Sequence, residues 1–167
     1  AVGSRGADHN RSGAYEVDFS QDVDRRHGTP EAARLAIETE DRASIMDSLI
    51  LCKFLRGALD DFFEETAQML ATVTGWDVDA EELRQVAARI ATARKLFNIH
   101  SGWTPAEDSL PARFLTTSLP DDPRSSLTAD RLQEMIRAYN SDRGWTETGC
   151  LTDEVIRQHG LAFDNGE

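Results

Sequence analysis

An aspartate and a cysteine stand five positions apart in an otherwise apolar run, Ile45-Met46-Asp47-Ser48-Leu49-Ile50-Leu51-Cys52-Lys53-Phe54. An unpaired charge is costly to bury, so Asp47 needs donors or access to water. Cys52 reads either as a small core residue, as free cysteines often are, or as a thiolate ligand. One thiolate cannot hold an iron–sulfur cluster, which takes four ligands. Cys150 is the other cysteine of the chain, and no CxxC pair occurs. Residue types alone leave two readings open: a helix cap beside a core cysteine, or two contacts to something larger. On a continuous helix the two side chains would lie roughly 140° apart around the axis.

A second polar run near the start, Arg5-Gly6-Ala7-Asp8-His9-Asn10-Arg11, sets a histidine among glycines that allow close backbone approach. His9 is either a solvated loop residue or a proton donor and acceptor working near neutral pH. His27, His100 and His159 have no metal-ligand spacing and are expected at the surface or at helix ends. Cys150, in Thr148-Gly149-Cys150-Leu151, lacks an activating neighbour and is expected to be structural. Trp76, Trp103 and Trp145 each follow a glycine, the usual place for an aromatic packing peg after a turn.

The elements that position these residues are helical. Residues 1–29 carry four glycines and scattered apolar positions, and read as an irregular segment. Thr29-Pro30-Glu31 is an N-cap, a proline at the first helical position and an acid in the first turn. Ile45–Phe54 is expected as a second apolar stretch. Asp60–Thr72 forms a third, with a stripe of Phe63, Ala67, Leu70 and Val73 stopped by Gly75. Asp79-Ala80-Glu81-Glu82 caps the longest helix, whose inward face is Leu83, Val86, Ala87, Ile90, Ala93 and Phe97. Four of the five prolines fall between Thr104 and Pro123, predicting a loop with a helical turn near Ala112–Leu115. A helix follows over about Ala129–Tyr139, with Leu132, Met135, Ile136 and Tyr139 inward, and a last one sits between Thr152 and Gly160. Alternating strand patterns are nearly absent. The predicted fold is all-α, an irregular orthogonal helical domain of about six helices. It divides into residues 1–29, completing a site, and a helical domain over 30–167.

The chain has 167 residues, enough for one domain with a real core. With 18 basic and 30 acidic side chains the net charge is −12, which disfavours nucleic acid and anionic membrane surfaces as partners. No apolar run reaches the roughly 20 residues that span a bilayer. The two isolated cysteines fit a reducing interior, hence a cytoplasmic location. The start has neither an initiator Met nor a signal-peptide apolar region, the expectation being that the chain begins inside something larger or has been trimmed.

Arg5-Gly6-Ala7-Asp8-His9 followed by Asp47 through Phe54 resembles the C-terminal part of the aldehyde ferredoxin oxidoreductase family. So do Val73-Thr74-Gly75-Trp76-Asp77, Leu96-Phe97-Asn98, Leu110 through Leu115, and Tyr139 through Trp145, in the same order from about residue 3 to residue 163. The resemblance implies the third, helical domain of an enzyme that binds a tungsten (or molybdenum) bis-pterin and a 4Fe–4S cluster. Matched to the family's D-x-x-G-L-C motif, Asp47 would accept hydrogen bonds from the pterin's amino edge, Leu51 would hold the adjoining position, and Cys52 would be a cluster ligand. The other three cluster cysteines would lie in a preceding domain. His9 would stand near the metal and take part in hydrogen bonding or proton transfer. The implied activity is oxidation of a small aldehyde to a carboxylic acid, with electrons passing to ferredoxin or another carrier. The chain alone would be inactive. A family reductase acting on an aromatic thioester, and a non-catalytic helical interaction module, are the alternatives. Ile50 stands where the motif has glycine, and a β-branched residue there predicts ordinary helical or extended backbone.

Overall fold

The computed structural model describes residues 1–4, 6, 8–20, 23 and 28–161. Eight α-helices run through them: α1 (His9–Ser12), α2 (Tyr15–Ser20), α3 (Pro30–Ser48), α4 (Phe62–Thr74), α5 (Ala80–His100), α6 (Ala112–Thr116), α7 (Ala129–Asp142) and α8 (Asp153–Gln158). No strand occurs among the described residues, where pairing is limited to two isolated bridges. The fold is all-α. The excess over about six helices comes from α1 and α2, in the segment expected to be irregular. Asp8 caps α1 by accepting from the Asn10 amide, and Gly13 ends it in the left-handed region.

Capping residues set the longer helices. Thr29 accepts from the Ala32 amide ahead of Pro30. Asp61, Asp79, Thr128 and Thr152 accept from Glu64, Glu82, Arg131 and Val155. Each cap satisfies an amide that lacks a partner within its helix, typically worth about 1 kcal/mol. The stretch predicted at Ala32–Ile37 and the first four residues of the one predicted at Ile45–Phe54 lie in one 19-residue helix, because nothing between them breaks the backbone ladder, while residues 49–54 leave it.

Helix α3 is the spine. It packs against α7, α5, α1 and α2, while α4 packs on α5. One apolar cluster gathers Ile45, Met46, Phe62, Phe63, Ala67, Leu83 and Ala87 around the end of α3. Another joins Ala33, Tyr139, Trp145 and Val155 near its start. The predicted inward face of α7 holds: Leu132, Ile136 and Tyr139 are buried and Met135 is half-buried. Along α4 and α5 the stripes drift. Val73 and Phe97 are exposed, and the buried line of α5 continues through Ala91 and Lys95 instead. That line steps by four residues and slowly rotates around the helix, since four residues exceed one 3.6-residue turn.

The α3–α7 contact carries a buried ionic group. Arg143 bridges Asp41 at 2.7 Å and Glu40 at 2.6 Å, and the Tyr139 hydroxyl donates to Glu40. Burial pushes the Tyr139 hydroxyl well above its ordinary range, with the Glu40 charge adding to the effect. Burial disfavours charge on Arg143, but Tyr139, Glu40 and Asp41 more than reverse this and keep it protonated. A second buried pair, Lys95 with Asp108 at 3.2 Å, fixes the loop after α5. The Lys95 ammonium lies 3.1 Å from the Trp103 ring centroid, and the Trp103 indole donates to Asp108.

Candidate functional site

The site is built where α3 ends. Helix α3 stops at Ser48, and Leu49 caps it with its amide on the carbonyls of Ile45 and Asp47. Ile50 then takes φ +56°, in the left-handed region, and is the one non-glycine residue with positive φ among those described. Its amide donates to the Asp47 carbonyl at 3.3 Å, and the Leu51 amide reaches back to the Met46 carbonyl at 2.8 Å. These two bonds are the Schellman arrangement, which normally has glycine at the left-handed position. The expectation of ordinary backbone at Ile50 is therefore corrected. The bonds that satisfy the last carbonyls of α3 outweigh a β-branched penalty of roughly 1–2 kcal/mol. The 140° separation falls with it, because the helix does not continue through Cys52.

The turn sorts the motif residues by environment. Leu51 packs against the apolar cluster around Met46. Cys52, next along, is an exposed free thiol. Asp47 stays in the last turn of α3, where the negative end of the helix disfavours a carboxylate. Two cations compensate. Arg11 Nη1 lies 2.6 Å from Asp47 Oδ2, and Lys53 Nζ lies 2.8 Å from Oδ1. Lys53 Nζ also donates to the Ala43 carbonyl at 3.2 Å. Burial alone would raise the Asp47 carboxyl, but Lys53 and Arg11 outweigh it and hold the group below the usual carboxylate range. Asp47 is thus an ionised acceptor with lone pairs to spare, since a carboxylate offers about four acceptor positions.

Arg11 belongs to α1, whose first residue is His9. The ion pair therefore joins the two motif regions that lie far apart in sequence. The His9 side chain, together with Arg5, Ala7 and His27, falls outside the described residues. Sequence reasoning missed Arg11 and Lys53 as partners of Asp47. The signal available was their position, two residues after His9 and directly after Cys52. Arg11 also lines two cavities. One, of 530 Å³, is mostly apolar and runs past Ala32, Ala36, Leu132, Met135 and Ile136. The other, of 520 Å³, opens beside Arg94 and Phe97.

Among the described residues, no three His, Cys, Asp or Glu side chains cluster closely enough to hold a metal ion. Cys52 fits a metal centre only as a single exposed donor, and Asp47 fits an organic cofactor as a charged acceptor. The tryptophans divide. Trp145 is buried against Thr92, and Trp103 is held by Lys95 and Asp108, whereas Trp76 is 67% exposed and packs as no peg. Cys150 is exposed in its turn, near the Thr148 hydroxyl. His159 caps the end of α8, and His100 is exposed at the end of α5.

Comparison with known proteins decides the family. Residues 1–161 match the family described as "Aldehyde ferredoxin oxidoreductase, domains 2 & 3". The chain belongs to the aldehyde ferredoxin oxidoreductase family. Among curated relatives, the tungsten-containing aldehyde ferredoxin oxidoreductase of Pyrococcus furiosus is 36% identical over 132 residues, covering 77% of this chain and 21% of that protein. The enzyme of the same name from Thermococcus kodakarensis is 35% identical over 135 residues, covering 79% and 22%. The Pyrococcus horikoshii protein is 34% identical over 134 residues, covering 78% and 21%. The chain thus matches about a fifth of the length of these aldehyde ferredoxin oxidoreductases. No helix among its described residues is long and apolar enough to cross a membrane.

Proposed function

We propose that this chain is the third-domain portion of a tungsten-pterin, iron–sulfur oxidoreductase that converts aldehydes to carboxylic acids. Electrons pass to ferredoxin or a similar carrier. The observation that carries the reading is the Arg11–Asp47 pair, which brings α1 and the Asp47–Cys52 turn into one place. A tungsten-pterin centre, when bound, supplies two-electron oxidation of the aldehyde carbon. The rest of the enzyme would bring that centre and three of the four cluster ligands.

Each residue here has a distinct task. Asp47 accepts from the amino edge of the pterin, and its ionisation is maintained by Lys53 and Arg11. Charge-assisted hydrogen bonds of this kind fix the orientation of a planar ring. Leu51 anchors the turn in the core, so that Cys52 is presented outward as a cluster ligand. His9, by its motif position, exchanges a proton as water adds to the carbonyl carbon and two protons leave with two electrons. The apolar 530 Å³ cavity beside Arg11 has the size and lining usual for small-molecule sites, and holds the hydrocarbon part of the aldehyde.

The test uses the full-length enzyme prepared without oxygen. Asp47→Ala should lower both pterin content and aldehyde-dependent reduction of a viologen dye. Full pterin content with wild-type turnover in that variant would overturn the assignment. A wild-type enzyme that holds no pterin would overturn the whole reading.

A further inference from the structure

The two cavities that meet at Arg11 differ in charge. Ser4 and Arg11 line both, and the Asn98 side chain pins Ser4 between them by donating to its carbonyl at 2.7 Å. The 530 Å³ cavity sets the carboxylates of Asp8, Glu40 and Glu107 against one basic side chain, on a wall that is otherwise mostly apolar. The 520 Å³ cavity reverses the balance. Arg11 and Arg94 line it, and among the described residues no Asp or Glu does, in a chain with 30 acids and 18 bases. Arg94 is half-buried, and its bond among those residues goes to a neutral group, from Nη1 to the Ser44 hydroxyl at 3.2 Å. Most of its N–H groups are left for another acceptor. Arg11 does share Asp47, but Lys53 shares it too, so two cations face one carboxylate there and positive charge remains. The exposed ring of Phe97 supplies the apolar side of the same cavity.

Oxidation of an aldehyde changes the sign of this preference. A neutral aldehyde gains the oxygen of water and loses two electrons and two protons, and the resulting acid ionises at neutral pH as side-chain carboxyls do. An anion is disfavoured beside the three carboxylates of the first cavity and favoured between the two arginines of the second. We propose that the 520 Å³ cavity is a product site, which takes the carboxylate and draws it past Arg11 out of the apolar cavity. Arg94 pairs with the two carboxylate oxygens, the geometry that a guanidinium matches best. Phe97 covers the hydrocarbon part. The proposal rests on the reading of this chain as part of an aldehyde-oxidising enzyme and of the 530 Å³ cavity as the aldehyde's place.

The test uses full-length enzyme prepared without oxygen, with benzaldehyde as substrate and benzoate as added product. Arg94→Gln should raise the inhibition constant of benzoate roughly tenfold or more, the scale of a lost charge-assisted hydrogen bond. The KM for benzaldehyde should not change, because the neutral substrate makes no use of that charge. Calorimetry of benzoate on the resting enzyme should show the same loss of affinity without turnover. Arg94→Lys should restore part of it, and Arg84→Gln, whose guanidinium lies over the Phe63 ring on the same helix, should behave as wild type. A merely structural role for Arg94 would move KM and the benzoate constant together, and that result would overturn the product site. Wild-type benzoate affinity in an active Arg94→Gln enzyme would overturn it as well. Loss of pterin from Arg94→Gln would do the same, by assigning the arginine to a cofactor phosphate. A wild-type enzyme that oxidises no aldehyde would overturn the product site together with the reading beneath it.

Discussion

Arg11 Nη1 stands 2.6 Å from Asp47 Oδ2, and this pair fastens the four-residue helix α1 to the last turn of α3. A helix as short as α1 has little stability of its own. Its position is held by contacts with α3, and the ion pair is one polar contact among them. His9 is carried by the same helix, so whatever moves Arg11 moves the motif histidine's backbone.

The charge state of Asp47 gives a pH prediction. Its carboxyl lies below the usual value in the fold, whereas in the unfolded chain it titrates near ~3.9. The stabilisation is therefore present above about pH 4 and is lost as pH falls through the lower folded value. Asp47→Asn should destabilise the chain by ~1 kcal/mol at pH 7, the scale of partly exposed ion pairs. The difference from wild type should shrink in acid. Urea unfolding at pH 7 and at successively lower pH measures both, and a difference independent of pH would contradict the electrostatic account.

Ile50→Gly should stabilise the chain. Relief of left-handed strain is worth roughly 1–2 kcal/mol, from which the entropy of glycine removes about 0.5–1 kcal/mol. A net gain of about 0.5–1 kcal/mol should appear as a higher urea midpoint with an unchanged slope. Ile50→Val keeps the strain and should gain nothing.

That position also marks the limit of what the sequence makes legible. The all-α fold could be read because caps such as Thr29, Asp79 and Thr152, and the α7 stripe, are local signals that the structure repeats. The left-handed turn at Ile50 could not, because its driving bonds run back to Met46 and Asp47 within a helix whose end was hidden in a continuous apolar run. The residue type argued the other way. Asp47 and Cys52 stood out as polar groups among apolar neighbours, but Arg11 is 36 positions away, and no periodicity links α1 to α3. Lys95 escaped for a related reason. It continues the buried line of α5, and only Asp108 and Trp103, from the following loop, make its burial tolerable.

Arg143 should be the costliest single side chain to remove. Arg143→Ala would leave Glu40 and Asp41 buried without their cation, a loss of about 3–5 kcal/mol. Arg143→Lys should recover only part of it, since one ammonium cannot match the fork that reaches both acids. Thermal unfolding of the two variants, compared with Arg34→Ala at an exposed pair, gives the ranking.

Gly149→Ala should also destabilise, by ~1–3 kcal/mol. Gly149 has φ +80°, and an added Cβ would sit 3.2 Å from Asn140 Nδ2, Lys95 Nζ and the Trp103 ring. The strain and the crowding act together on the buried Lys95–Asp108 pair. Gly57→Ala, with open space around it and no positive φ, is the matching control and should be near neutral.

Iron per polypeptide, measured on full-length enzyme prepared without oxygen, bears most directly on the role of the exposed turn after α3. Cys52→Ala should lose most of the cluster iron, while Cys150→Ala, at the other exposed thiol, should keep it. Full iron content in Cys52→Ala would contradict the account.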